Sequence, residues 1–93
     1  MPVLSNAQIE NRLTNLTGWY HGYGYLYTSF EFEDFKEAFF AMTRIAFEAE
    51  RLGHHPTWRN AYNTLDVYLR THDAGGITEK DFTLARTIDD LFG

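Results

Sequence analysis

A chain of 93 residues supports one hydrophobic core, because at this length folding hides only about two thirds of the surface that the unfolded chain exposes. At 44% hydrophobic and 17% aromatic the composition is that of a folded domain, and the absence of cysteine excludes disulfides, thiolate metal sites and cysteine nucleophiles, which makes the cytoplasm the expected compartment. A formal charge of -5 with eight scattered Lys and Arg offers no stripe for nucleic acid, no run approaches the ~20 apolar residues of a membrane span, and Met1 to Gln8 carries no targeting pattern.

Ser5 followed three residues later by Gln8 is a capping box, with Leu4 and Ile9 as its staple, so a first helix is expected with Ile9, Leu13 and Leu16 on one face and Gly18 closing it. Trp19 to Phe32 reads as two strands: Leu26, Thr28, Phe30 and Phe32 alternate with Tyr25, Tyr27, Ser29 and Glu31, and Gly22 and Gly24 mark the turn. From Asp34 a long helix is expected, with Phe35, Ala38, Phe39, Met42, Ile45, Ala46, Ala49 and Leu52 as its main stripe and Gly53 at its end. Phe40 and Phe47 lie nearly opposite that stripe. A second apolar face calls for a second partner, either the first helix or another subunit. Thr57 to Tyr62 and Thr64 to Thr71 predict a second hairpin turning near Asn63, with Leu65, Val67 and Leu69 inward. Thr78 and Asp81 form a second capping box, stapled by Ile77 and Phe82, and open a last helix through Ala85, Ile88 and Leu91. The order α-β-β-α-β-β-α implies an α+β domain, one antiparallel sheet with helices on one face.

Three of the four histidines fall within nineteen positions: His54 and His55 directly after the long helix, and His72 directly after the fourth strand. Imidazole exchanges a proton near neutral pH, so such a cluster suits general acid and base work. A helix C-terminus also favours imidazolium, within the reach of its last turn. Glu50 is locally misplaced, since an acid in a last turn opposes the helix dipole; a functional role or a pairing with Arg44, Arg51 or a histidine would explain it. His21 has no motif around it.

At these positions the sequence resembles the pterin-4a-carbinolamine dehydratase family. That family carries an acidic or polar residue, three intervening positions, His-His-Pro, five or six intervening positions, an aromatic, nine intervening positions, a histidine and a later aspartate; Glu50, His54, His55, Pro56, Tyr62, His72 and Asp81 match it. The resemblance extends through Trp19, Phe-Glu-Phe-Glu-Asp-Phe at 30–35, Ala49, Trp58 and Thr71-His72-Asp73-Ala74-Gly75-Gly76-Ile77-Thr78. It implies a four-stranded antiparallel sheet with three helices on one side, a homodimer or homotetramer, and metal-free and cofactor-free elimination of water from a 4a-hydroxytetrahydropterin, in support of tetrahydropterin recycling. By the same resemblance His54, His55 and His72 are the catalytic residues. Glu50 would orient a histidine, Pro56 and Trp58 would shape the wall, and Asp81 would place the ring or His72, with Thr71 also on the substrate.

Residue chemistry keeps rival readings in view. Asp81 is equally explained as the N3 residue of its capping box, and Trp58 and Tyr62 as core aromatics on a strand. Three imidazoles with Glu50 could instead hold a metal, although adjacent histidines diverge on an extended chain. Relatives within the family also act as dimerisation or assembly factors, so a binding module is the alternative to an enzyme. The chain departs from the family at Thr28, where a basic residue is usual, at Gly53, and at Arg70, which bear on the substrate side chain accepted.

Overall fold

In the computed structural model, which describes residues 2–92, the first helix opens at its expected cap and ends at Leu13, with Thr14 as its C-cap, short of the Gly18 that was expected to close it. Ser5 Oγ accepts from the Gln8 amide and Gln8 Oε1 from the Ser5 amide, so the capping box opens α1 (Asn6–Leu13). Strands β1 (Tyr20–Gly22) and β2 (Tyr25–Glu31) follow, joined by a two-residue turn in which Tyr23 and Gly24 both take positive φ, at 54° and 82°. A pair of left-handed residues matches the twist of a tight hairpin. Helix α2 (Phe35–Leu52) begins at Asp34, whose carboxylate accepts from the Glu37 amide, and stops at left-handed Gly53. Strands β3 (Thr57–Ala61) and β4 (Thr64–Leu69), a 3-10 turn at His72–Ala74 and α3 (Glu79–Phe92) complete the chain.

The strands form one antiparallel sheet in the order β1-β2-β4-β3, with β2 and β4 central. Period-two alternation turns Leu26, Leu65, Val67 and Leu69 toward the helices, where all four are fully buried. Tyr27 and Tyr68 face the other way and remain half-buried. Thr28 also turns inward, and its hydroxyl donates to the Gly18 carbonyl at 2.6 Å, so the position that departs from the expected basic residue carries no charge to bury. Trp19 is buried and its indole N–H donates to Asp89 of α3 at 3.0 Å. Arg12 of α1 grips Glu79 of α3 at 2.6 Å, and this guanidinium holds the Glu79 carboxyl below the usual carboxylate range.

The main stripe of α2 differs in part from expectation. Ala38, Ile45 and Ala49 are buried as expected and Ala41 joins them, whereas Phe35, Phe39 and Ala46 are exposed. Alanines at three of the four inward positions let the helix lie close to its neighbours, and the bulky phenylalanines are turned outward. Nor does α1 cover the second apolar face: Phe40 and Phe47 stay 55% and 72% exposed. Strand β4 ends two residues earlier than its pattern suggested, because Thr71 bonds instead with Gly76 as an isolated bridge.

Phe82 is the largest fully buried side chain, set among Ile45, Leu65, Leu69 and Ile88 in one cluster. Its replacement by alanine should destabilise the domain by about 3–5 kcal/mol. Urea unfolding measures this, and a loss below about 1 kcal/mol would mean that the core is not closed around that ring.

Candidate active site

The site lies where three chain segments end together: the C-terminus of α2, the end of β4 and the start of α3. At the first of these, Gly53 N–H donates to Glu50 O at 3.2 Å and His54 N–H to Ala49 O at 3.1 Å, the paired bonds of a Schellman motif. Left-handed Gly53, with φ 65°, makes that geometry accessible. The motif delivers His54 inward, to 9% exposure, and leaves His55 outward in the solvent. At the second, the Thr71–Gly76 bridge pinches off a loop whose first residue is His72.

Asp81 joins all three segments. Fully buried in the first turn of α3, it accepts from His54 Nε2 at 2.6 Å through Oδ1, and from the Thr71 hydroxyl at 2.8 Å and the Thr78 amide at 2.9 Å through Oδ2. The Thr78 hydroxyl lies 2.8 Å from that of Thr71 and accepts from the Lys80 amide at 3.2 Å. Once Thr71 has given its proton to Asp81, Thr78 must be the donor between the two hydroxyls, so the chain of bonds runs one way into the carboxylate. Asp81 thus sits in the cap of α3, as its place in the capping box implies, and the histidine it grips is His54, whereas the resemblance had set it beside the ring or His72.

The second histidine is paired more openly. His55 Nε2 meets Glu50 Oε1 at 2.5 Å, with both side chains largely exposed. The misplaced acid of α2 thus has a histidine for its partner, while Arg51 pairs with Glu48. His72 is exposed and has no side-chain partner among the described residues. A carboxylate only accepts, so His54 and His55 each carry hydrogen on Nε2, and Nδ1 is the atom left to exchange a proton with a ligand.

His54, His55 and His72 line a single open cavity of about 230 Å³, together with Thr71. Gly53, Arg70, Asp73 and Lys80 complete its border. Arg70 stood out in the sequence as a departure, but Asp73 and Lys80 were missed; each directly neighbours a site segment, which is the only signal that marks them. Glu50 and Asp81 sit behind the histidines rather than on the wall. Pro56 and Trp58 do not line the cavity, and Trp58 packs against the core. Tyr62 occupies the β3–β4 turn at φ 51°, about 17 Å along the strand from Thr57 at 3.4 Å per residue. Among the described residues no three of His, Cys, Asp and Glu are grouped to hold a metal ion.

A sequence model of the family described as pterin 4 alpha carbinolamine dehydratase matches residues 2–91. A protein of Christiangramia forsetii, provisionally named a pterin-4-alpha-carbinolamine dehydratase, is 54% identical over 91 residues, covering 98% of this chain and 94% of its own length. A protein of Rhodopseudomonas palustris with the same provisional name is 44% identical over 92 residues, covering 97% and 91%. Among solved structures, a transcriptional coactivator/pterin dehydratase from Brucella melitensis superposes with a TM-score of 0.93 at 40% identity, over 98% of this chain and 99% of that one.

The hydrogen-bond pattern predicts a proton position. Long-range ¹H–¹⁵N NMR correlations should find hydrogen on His54 Nε2. In Asp81→Asn the Thr78 amide claims the side-chain oxygen, the new NH₂ faces His54, and the neutral ring should shift its proton to Nδ1. A wild-type His54 carrying its only ring proton on Nδ1 would contradict the geometry.

Proposed function

The chain belongs to the pterin-4-alpha-carbinolamine dehydratase family, and from that premise we propose that it is a lyase converting a 4a-hydroxytetrahydropterin to the quinonoid dihydropterin and water. The observation that carries the reading is the convergence of His54, His55 and His72 on one cavity. In the elimination the C4a–O bond breaks as the hydroxyl takes a proton and leaves as water, N5 loses its proton, and a C4a–N5 double bond forms. One group must give a proton and another must take one. His54, oriented from behind by Asp81, would accept the N5 proton at Nδ1, and the buried carboxylate would stabilise the charge that the ring then acquires. His55 and His72, exposed to water and able to recharge from it, would supply the proton to the hydroxyl. Glu50 would orient His55 and Thr71 would touch the substrate, while Pro56 and Trp58 would support the site from behind. The chemistry asks for no metal and no cofactor, because both proton transfers run through imidazole; the product would serve tetrahydropterin recycling in the cytoplasm.

We further propose a homodimer or homotetramer. Phe35, Phe39, Phe40 and Phe47 are each more than half exposed on α2, and apolar surface costs roughly 25 cal/mol per Å² in water. A second reading, a binding or assembly module on the same fold, draws on that same aromatic face and on the Brucella melitensis protein, which is described as a transcriptional coactivator as well as a pterin dehydratase.

Two experiments follow from these readings. In a stopped-flow assay with synthetic 4a-hydroxytetrahydropterin, alanine at His54, His55 or His72 should each lower kcat about ten-fold or more, non-additively, with exhaustive chelation leaving the wild-type rate unchanged. His21→Ala should stay close to wild type. Full turnover in the triple-alanine variant would favour the binding module, and zinc-restorable loss on chelation would overturn the imidazole mechanism. Light scattering should report at least a dimer, and Phe47→Lys should reduce its mass; a wild-type monomer at micromolar concentration would refute the assembly.

A further inference from the structure

Most of the arginines in this chain are already engaged. Arg12, Arg51 and Arg59 face Glu79, Glu48 and Asp66, and Arg44 lies over the Phe92 ring. Arg70 and Lys80, like Lys36 and Arg86, have no carboxylate partner among the described residues, and these two border the histidine cavity. In a chain of formal charge -5, two uncommitted cations on one cavity are a departure from the general balance. Asp73, the only acid on the same border, pairs with neither of them.

Arg70 is also held in place. It leaves the end of β4 half-buried, and its Nη1 donates to the Gly24 carbonyl at 3.3 Å in the β1–β2 turn. Gly24 makes room for this, since a Cβ there would stand 2.7 Å from Nη1. One of five guanidinium donors is thereby used as an anchor, and the rest of the fork remains available. Lys80 extends from the first turn of α3 and adds a second, more flexible positive charge.

The chemistry of the ring says what such cations would meet. C4a, N5 and C6 are consecutive atoms of a pterin, so a substrate whose C4a–N5 edge faces the histidines projects its C6 substituent from the neighbouring atom. Long side chains bordering the same cavity are the ones within reach of it. We propose that Arg70 and Lys80 form an anion-binding subsite, and that the preferred substrate carries a phosphate or carboxylate on its C6 substituent. This deepens the dehydratase reading and rests on it. A fixed guanidinium suits the two oxygens of either anion, and charge-assisted hydrogen bonds are about twice as strong as neutral ones.

The test compares 4a-hydroxytetrahydropterins bearing a neutral hydroxylated, a carboxylated or a phosphorylated C6 side chain, on the wild-type enzyme and on Arg70→Gln and Lys80→Gln. Wild-type kcat/KM should favour at least one anionic substrate about ten-fold over the neutral one, which of the two distinguishing phosphate from carboxylate. That ratio should fall toward one in Arg70→Gln, less far in Lys80→Gln, and with rising salt. Fluorescence binding of 6-carboxypterin against 6-hydroxymethylpterin runs alongside, as a readout without turnover. A wild-type ratio near one, or a ratio unchanged in Arg70→Gln, would overturn the subsite. Arg70-dependent preference in binding with no turnover of any pterin would uphold the subsite and refute the dehydratase reading instead.

Discussion

Everything at the cavity depends on one buried carboxylate. Asp81 has no solvent, so each of its oxygens must be matched by a protein donor, and an unmatched buried polar group costs roughly 1–3 kcal/mol, more when it is charged. The donors it finds come from three different places: His54 just beyond the C-cap of α2, Thr71 two residues past the end of β4, and Thr78 at the cap of α3. None of those segments can drift without breaking a bond to the same group. A requirement of hydrogen bonding thus becomes a requirement of geometry, and the angle at which His54 faces the cavity is set by it.

The three histidines inherit different degrees of constraint from this arrangement. His54 is buried and held by a carboxylate that is itself held; His55 is held by Glu50 at an exposed position; His72 rides on a short loop pinched by the Thr71–Gly76 bridge. A reaction that moves two protons benefits from such inequality. In the proposed mechanism the rigid ring would fix the reacting atom, and the exposed rings would exchange with water between turnovers. The fold supplies this gradient cheaply, because segment ends meet at one edge of the layer formed by sheet and helices.

Much of this was legible in the sequence, and the limits were physical. Ser5–Gln8, Asp34 and Gly53 marked helix ends because capping is local chemistry, and β2 and β4 were readable because a face buried on one side enforces alternation. The histidine cluster was visible as composition, and its common cavity only through the resemblance. The buried side of α2 was legible at Ala38, Ile45 and Ala49 but misread at Phe35 and Phe39, since hydrophobicity alone ranks phenylalanine above Ala41, whose small side chain permits close approach. The cavity border at Asp73 and Lys80 was invisible, being a product of tertiary closure. Trp58, which the resemblance put on the pocket wall, and Tyr62, which it counted in the histidine motif, are carried away from the cavity by the direction of β3.

A second concavity sharpens the question of where a pterin sits. Tyr23, Tyr25, Tyr27 and Tyr68 line an apolar groove of about 410 Å³ on the sheet face that the helices leave open, and flat aromatic walls could also hold a flat ring. Only the histidine cavity offers imidazoles, the side chains that exchange protons most readily near neutral pH, whereas the groove offers phenols, which ordinarily titrate at about 10. A crystal structure with a stable 7,8-dihydropterin bound decides between them: the ring should lie in the histidine cavity, its C4a–N5 edge within hydrogen-bond reach of at least two of His54, His55 and His72. A pterin found in the tyrosine groove, with the histidine cavity holding only water, would contradict the account.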